Sequence, residues 1–324
     1  MSGRTVKVMI GVDPCIPSVQ EFADAFPGVA FCVADRPESQ LAHVRDAEVC
    51  IGALTRDAFL AARELRWVQS PWTGIDFVMA IPELVESNVI VTNIPDVHAP
   101  SMADHVFAMI LAFAHRLPQT LEDQKQHRWD TKKYHHKILE LSGTTIGILG
   151  FGGVGRAVAR RARGFGMKVY AIARAPGAAS DEADEVWPPQ RLDDLLRICD
   201  WFVIAAPLTD QTRGLIDRRR INLLKPTAHI IVISRGGIID EDALAAALRE
   251  KRIAGAATDA LAQEPPDPEN LGPLWDLDNC LVTPHSSGPT AEMFAGRKNF
   301  CKQNLRRYLD GQPLRAVRDK KAGY

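Results

Sequence analysis

Short apolar runs separated by amphipathic segments recur along this chain. Up to about residue 95, "TVKVMIGV", "AEVCIGAL", "LRWVQS" and "VIVTNI" read as strands and "SVQEFADAF" as a helix. Such alternation implies a parallel sheet. Residues 100–117, "PSMADHVFAMILAFAHRL", predict a long helix that opens at Pro100-Ser101 and stops at Pro118. Being apolar on most faces, it is expected to be buried between domains. Residues 119–140 are polar, show no sheet signal and read as an arm or connecting loop. From Thr145 a second series begins: "TIGILGFGG", "KVYAIA", "WFVIAAP", "HIIVISRGG", "IAGAATDAL" and "CLVTPH". These strand-like runs, with helices between most of them, suit a complete doubly wound sheet. A last helix is predicted from about Met293 to Leu309.

Composition narrows the class of function. A chain of 324 residues suggests two domains or one large one. Net charge is −1, which removes any global drive toward nucleic acid or an anionic membrane. The nearest basic cluster, Arg218-Arg219-Arg220, reads as a solvated helix or turn. No apolar run approaches the ~18 residues that span a bilayer, and "MSGRTVKVMIGVDP" reads as a first strand without a signal-peptide core. The cysteines at 15, 32, 50, 199, 280 and 301 form no C-x-x-C pair. They read as reduced core thiols of a cytoplasmic protein, not a disulfide frame or zinc site. No metal cluster is expected, and His135-His136 of the arm read as exposed.

The second series opens on G-x-G-x-x-G at Gly150, Gly152 and Gly155, between a strand over Thr145–Leu149 and a helix over Val154–Gly164. In that setting the first glycine permits a tight turn and the second admits a pyrophosphate. The third lets helix and strand pack closely, and the helix N–H groups face the diphosphate. NAD sites carry an acid roughly 20 residues further on, at the end of the next strand. Here "KVYAIARAP" ends in Ala173 and Arg174, and the next acids, Asp181 and Glu182, lie beyond Pro176. An uncharged residue removes repulsion against a 2′-phosphate, and an arginine can pair with it. NADP(H) is therefore the expected cofactor, with NAD(H) as the alternative if Arg174 points to solvent.

Three reactive side chains follow apolar strands of the same series: Arg235 in "ISRGG", Glu264 in "DALAQEPP" and His285 in "VTPHSSG". Ligands of open α/β sheets bind outside the carboxyl ends of the strands, so the three are expected in one cleft. Their chemistry suits carbonyl reduction. His285 would protonate the oxygen as hydride adds to carbon, and Glu264 would favour and orient the protonated imidazole. Arg235 would hold a ketoacid carboxylate and polarise the carbonyl. His105 and His115, on the long helix, read as hydrogen-bonded core or boundary residues.

These motifs, with "WVQSPWTGID", "APLTDQTRGLID" and "PLWDLDNCLVTPHSSG", run nearly the whole chain and resemble the D-isomer-specific 2-hydroxyacid dehydrogenase family. The resemblance implies an α/β protein with two doubly wound parallel-sheet domains. Residues 1–98 plus 288–324 would form a flavodoxin-like substrate domain, and residues 99–287 a Rossmann dinucleotide-binding domain. Arg235, Glu264 and His285 take the catalytic positions, and the loop Ser70–Gly74 (Ser70, Trp72, Thr73, Gly74) the substrate carboxylate. Cofactor contacts would come from Thr73, Gly150, Gly152, Gly153, Val154, Gly155, Ala206, Pro207, Ile233, Ser234, Arg235, Asp259 and His285, beside Arg174. The cleft would close between the domains, and two copies would pair through the long helix and the arm around Trp129–His136.

The chain departs from the family pattern at Val232, where asparagine is usual, at Asp104, and at Asp259-Ala260-Leu261. None is expected to touch the reactive trio. Trp72 makes the substrate loop bulkier than usual. With the Ala173-Arg174 pair, these features resemble the NADPH-dependent glyoxylate/hydroxypyruvate reductase branch, implying a small 2-ketoacid substrate. The family also holds phosphite- and formate-type dehydrogenases and cofactor-sensing corepressors, which stand as alternatives.

Overall fold

The structure is a computed structural model that describes residues 5–175 and 181–321. Its chain divides into two compact units, Met1–His98 with Pro289–Tyr324, and Ala99–Gly288. The first unit holds β1 (Lys7–Ile10), β2 (Ala30–Val33), β3 (Val49–Ile51), β4 (Trp67–Gln69) and β5 (Ile90–Thr92). They form one parallel sheet in the order β2-β1-β3-β4-β5, the flavodoxin-like arrangement. Period-two alternation sends Met9, Cys50, Val68 and Val91 to one face. Val8, Ile10, Val49, Ile51 and Trp67 face the other way, against Phe300, Cys301 and Leu305 of the helix Ala291–Leu309. Thr290 caps that helix by accepting from the Met293 N–H at 3.1 Å.

A buried polar net ties helix and sheet together. Asn304 donates to Gln69 Oε1 at 2.9 Å, Thr92 donates to the same oxygen at 2.9 Å, and Trp67 Nε1 donates to Thr92 Oγ1 at 2.8 Å. Every member is satisfied, so burial carries no desolvation penalty that goes unmet. The net fixes the end of β4, from which Ser70–Gly74 departs.

The second unit holds β6 (Thr145–Leu149), β7 (Lys168–Ile172), β8 (Glu185–Trp187), β9 (Trp201–Ile204), β10 (His229–Val232), β11 (Gly255–Thr258) and β12 (Cys280–Val282). All pairs are parallel, in the order β12-β11-β10-β9-β6-β7-β8. Numbered from β6, this is the Rossmann order with one further strand. The strand order reverses between β6 and β9, and the carboxyl ends there open the crevice in which such sheets bind ligands.

Two strands go beyond the sequence expectation. Both β2 and β8 lie at sheet edges; β2 has exposed ends and half-buried middle residues, and β8 is three residues long, so neither presents a sustained apolar contrast. The long helix runs over Ala99–Ala114, and its buried residues pack into the core of the second unit with Ala157, Val158 and Ala162 of the helix Gly153–Gly164. Pro118 does more than end it. After Arg116, at φ 56°, the chain restarts as a helix over Leu117–Lys125 with Pro118 in its first turn. The arm is thus helical where a loop was expected. Its remainder is organised on Asp123, which accepts from Tyr134 Oη at 2.5 Å, Lys133 Nζ at 2.7 Å and Arg128 Nη2 at 2.9 Å. Bonds from Lys133 and Tyr134 hold this carboxyl down to about 2. Arg218–Ile221 is a short helix whose Arg219 and Arg220 bind Asp193. Among the described residues no helix is long and apolar enough to cross a membrane.

His229, at the start of β10, is 2% exposed. Its ring stacks on Trp201 at 4.6 Å and meets Phe113 at 5.0 Å. Its Nδ1 has no hydrogen-bond partner among the described residues. Burial, with Arg116 adding to it, pushes its pKa from 6.5 down to about 4. The unfolded chain therefore binds a proton here before the folded one does. Stability from this site is full above about 6.5 and falls as pH drops toward about 4, by at most ~1.4 kcal/mol per pH unit. Urea denaturation across that window should show a stability loss that His229→Phe flattens; an identical pH slope in the variant would remove His229 as its source.

Candidate active site

The turn after β6 is built by what its glycines lack. Gly150 has φ 97°, and a Cβ there would lie 2.6 Å from the Ala206 nitrogen. A Cβ on Gly155 would come within 2.1 Å of the Gly150 carbonyl oxygen. These two positions let the helix Gly153–Gly164 start hard against the strand and against Ala206-Pro207, which follow β9. At Gly152 a Cβ would meet nothing within 4 Å. The helix has no side-chain cap on its first turn, so its leading N–H groups suit a phosphate. Ile233 is buried after β10, and Ser234 donates to the Ile204 carbonyl at 3.2 Å, which pins the neighbouring turn. Open space over a glycine, unclaimed helix donors and closely held flanking turns fit a dinucleotide diphosphate.

Ala173 is half-buried at the end of β7 and Arg174 is exposed; Pro176 lies outside the described residues. Glu182, one of the acids beyond the strand, is bound by Arg156 Nη1 at 2.9 Å and by Arg160. Burial would raise its carboxyl, but the two guanidinium bonds outweigh that and lower it. Arg156 also lies over the Phe151 ring at 4.6 Å.

Arg235 follows β10, and its Nη1 donates to the Ser234 carbonyl at 2.8 Å. The turn after it lies flush on the loop that follows β11. A Cβ on Gly236 would fall 2.0 Å from the Leu261 carbonyl carbon and 2.2 Å from the Ala262 nitrogen. Only glycine allows that approach. The same loop carries Glu264, whose Oε1 accepts from the Leu261 N–H at 2.8 Å; one of the departures from the family pattern therefore does touch the trio, through its backbone. Its Oε2 lies 2.7 Å from His285 Nδ1. An ionised carboxylate only accepts, so Nδ1 carries the hydrogen and Nε2 is the nitrogen left to exchange a proton. The pair is partly open, with side chains 44% and 35% exposed.

His285 has φ 50°, a left-handed conformation that costs an L-residue ~1–2 kcal/mol. The loop around it is held by Asp259, 1% exposed. Asp259 Oδ1 accepts from Thr283 Oγ1 at 2.5 Å and the Ser286 N–H at 2.9 Å, and Oδ2 from the Ser287 N–H at 3.0 Å. Asp259, expected on the cofactor, thus directs both oxygens to the segment carrying His285. Two residues of the long helix also reach this segment: Ser101 Oγ donates to the Ser287 carbonyl at 2.6 Å, and His105 Nε2 lies 3.1 Å from Thr283 Oγ1. The sequence reading missed Ser101 and Thr283; it took His105 for a hydrogen-bonded core or boundary residue, and the contact with Thr283 agrees with that. The available signal was Ser101 and His105 at i, i+4 on a largely apolar helix.

In the first unit, Ser70 is buried and accepts the Trp72 N–H at 3.2 Å. Thr73 Oγ1 donates to the Ile94 carbonyl at 3.0 Å, and the Thr73 carbonyl accepts from Asn93 at 2.5 Å. Trp72 packs edge-on against Phe77 at 6.0 Å. The loop is therefore fixed from within and from β5.

The sequence profile described as "D-isomer specific 2-hydroxyacid dehydrogenase, NAD binding domain" matches residues 107–287. Glyoxylate reductase of Pyrococcus furiosus is 35% identical over 286 residues, covering 85% of this chain and 83% of that protein. D-3-phosphoglycerate dehydrogenase of Methanocaldococcus jannaschii is 31% identical over 314 residues, covering 95% of this chain; the chain spans 58% of that relative's length. A crystal structure of NADPH-dependent glyoxylate/hydroxypyruvate reductase from Sinorhizobium meliloti, in complex with NADP and sulfate, superposes with a TM-score of 0.83 at 25% identity. That match covers 99% of this chain and 100% of the other. The two parallel sheets, the glycine turn and these likenesses agree: the chain belongs to the D-isomer-specific 2-hydroxyacid dehydrogenase family, whose members are NAD(P)-dependent oxidoreductases.

Proposed function

We propose that this enzyme reduces a small 2-ketoacid, glyoxylate, hydroxypyruvate or a close analogue, to the D-2-hydroxyacid, and that it prefers NADPH to NADH. The observation that carries the reading is the 2.7 Å bond between His285 Nδ1 and Glu264. A carboxylate on Nδ1 fixes the ring and its tautomer, which leaves Nε2 as the nitrogen that faces proton exchange with an oxygen gaining negative charge. Bound nicotinamide supplies the hydride. Arg235 holds the ketoacid carboxylate and polarises the carbonyl. The Trp72 N–H is taken by Ser70, so the carboxylate donors of the substrate loop are assigned to Thr73 and Gly74, with Trp72 shaping the pocket.

The cofactor preference rests on the end of β7. Ala173 brings no charge to repel a 2′-phosphate, Arg174 is exposed beside it, and Glu182 is bound by Arg156 and Arg160. The same reading takes a homodimer as the working unit, paired through the long helix and the arm. The arm carries exposed Leu117, Leu121 and Trp129, the last 93% exposed. A cytoplasmic location is proposed from cysteine usage. All six thiols are free, and burial pushes Cys50, Cys199, Cys280 and Cys301 up to about 12.

NADPH and NADH oxidation should be followed with glyoxylate, hydroxypyruvate, phenylpyruvate and longer ketoacids, beside phosphite and formate with the oxidised cofactors. Turnover on a small ketoacid is expected; cofactor binding without turnover on any acid would overturn the enzymatic reading. His285→Ala should lower kcat at least ~10²-fold while leaving the cofactor Kd nearly unchanged; near-normal kcat would show that the proton donor is another group. Ala173→Asp with Arg174→Ala should move the ratio of kcat/KM values toward NADH, and an unmoved ratio would contradict the phosphate-reading role.

A further inference from the structure

We propose that His105 is a positioning residue for the proton donor: through Thr283 and Asp259 it sets the loop that carries His285. The proposal rests on the reading of His285 as the donor and extends it to a side chain on a different element.

The directions of the hydrogen bonds follow from the donor inventory. Asp259, its carboxyl lowered, only accepts, so the Thr283 hydroxyl donates its single hydrogen to Oδ1 at 2.5 Å. The contact between Thr283 Oγ1 and His105 Nε2 at 3.1 Å then has one possible donor, the imidazole N–H. Nε2 also lies 3.7 Å from Asp259 Oδ1. The result is an ordered chain from the Ala99–Ala114 helix to Thr283, to Asp259, and on to the backbone N–H groups of Ser286 and Ser287. Residues before and after His285 are both anchored to one carboxylate.

The helix reaches this segment at two points one turn apart, Ser101 on the Ser287 carbonyl at 2.6 Å and His105 on Thr283. The loop is therefore held from the strand side by Asp259 and from the helix side by Ser101 and His105. His285 sits between these anchors with φ 50°, a conformation that persists only where its surroundings over-determine it. Removing the imidazole N–H leaves the Thr283 oxygen without its donor and loosens one of the two holds. A small misplacement of a reacting group by a change remote from the chemistry can cost as much as ~10²-fold in rate, here through the position of His285 Nε2 rather than through loss of ligand binding.

The test compares His105→Leu and His105→Gln in the otherwise unchanged enzyme and in His285→Ala. Glutamine keeps a side-chain N–H donor at a reach similar to Nε2; leucine keeps the volume alone. His105→Leu should lower kcat for ketoacid reduction about 10-fold, with the KM for the ketoacid and the NADPH Kd within about twofold of the parent. His105→Gln should recover most of the lost kcat, and His105→Leu should add nothing to the loss in His285→Ala. The proposal is overturned if His105→Leu leaves kcat within about twofold, if glutamine is as poor as leucine, or if leucine costs the same factor in both backgrounds. An intact kcat in His285→Ala would instead remove the donor reading itself, and the proposal with it.

Discussion

Taking a carboxylate out of water costs several kcal/mol unless its oxygens are met by donors, and Asp259 is 1% exposed. Burial alone would raise its pKa, yet the bonds from Ser287, Thr283 and the Ser286 N–H bring it below the ordinary range. The carboxylate must stay ionised and bonded, so the donors must stay where they are. They bracket His285, which explains how a non-glycine residue is kept at φ 50° and how Nδ1 is presented to Glu264. Without this buried charge the loop that carries the imidazole would lose its hold on the strand side.

The rest of the second unit works by close approach. Gly150, Gly155 and Gly236 each stand where a methyl group would collide with backbone. Gly150 and Gly155 bring helix, strand and the turn after β9 together around a space that suits a diphosphate. Gly236 presses the Arg235 turn onto the loop of Glu264, so the guanidinium and the carboxylate–imidazole pair belong to one rigid surface. Parallel pairing from β9 through β12 supplies the register that makes those turns neighbours.

Much of this was legible in the sequence because reactive residues directly follow apolar strand runs. Arg235, Glu264 and His285 could be placed at carboxyl strand ends from pattern alone, and the glycine spacing marked the turn after β6. Elements that make little apolar contrast were not legible: the edge strands β2 and β8, and the helix Leu117–Lys125, which is short and, apart from Leu117, Pro118 and Leu121, polar. Asp259's hold on the loop was hidden because two of its donors are backbone N–H groups, which no residue type announces. His105 was read as a hydrogen-bonded core or boundary residue, which its contact with Thr283 agrees with; the partner itself, distant in sequence, was not legible.

The central claim is that this surface directs hydride to the carbonyl carbon of a 2-ketoacid while His285 protonates the oxygen. Its most direct test is to supply NADPH deuterated at the transferable C4 position with hydroxypyruvate and to locate the label by NMR after resolving the product's isomers. The account predicts one deuterium at C2 of the D-hydroxyacid for each cofactor oxidised. An L-product, or a product with no deuterium at C2, would contradict it.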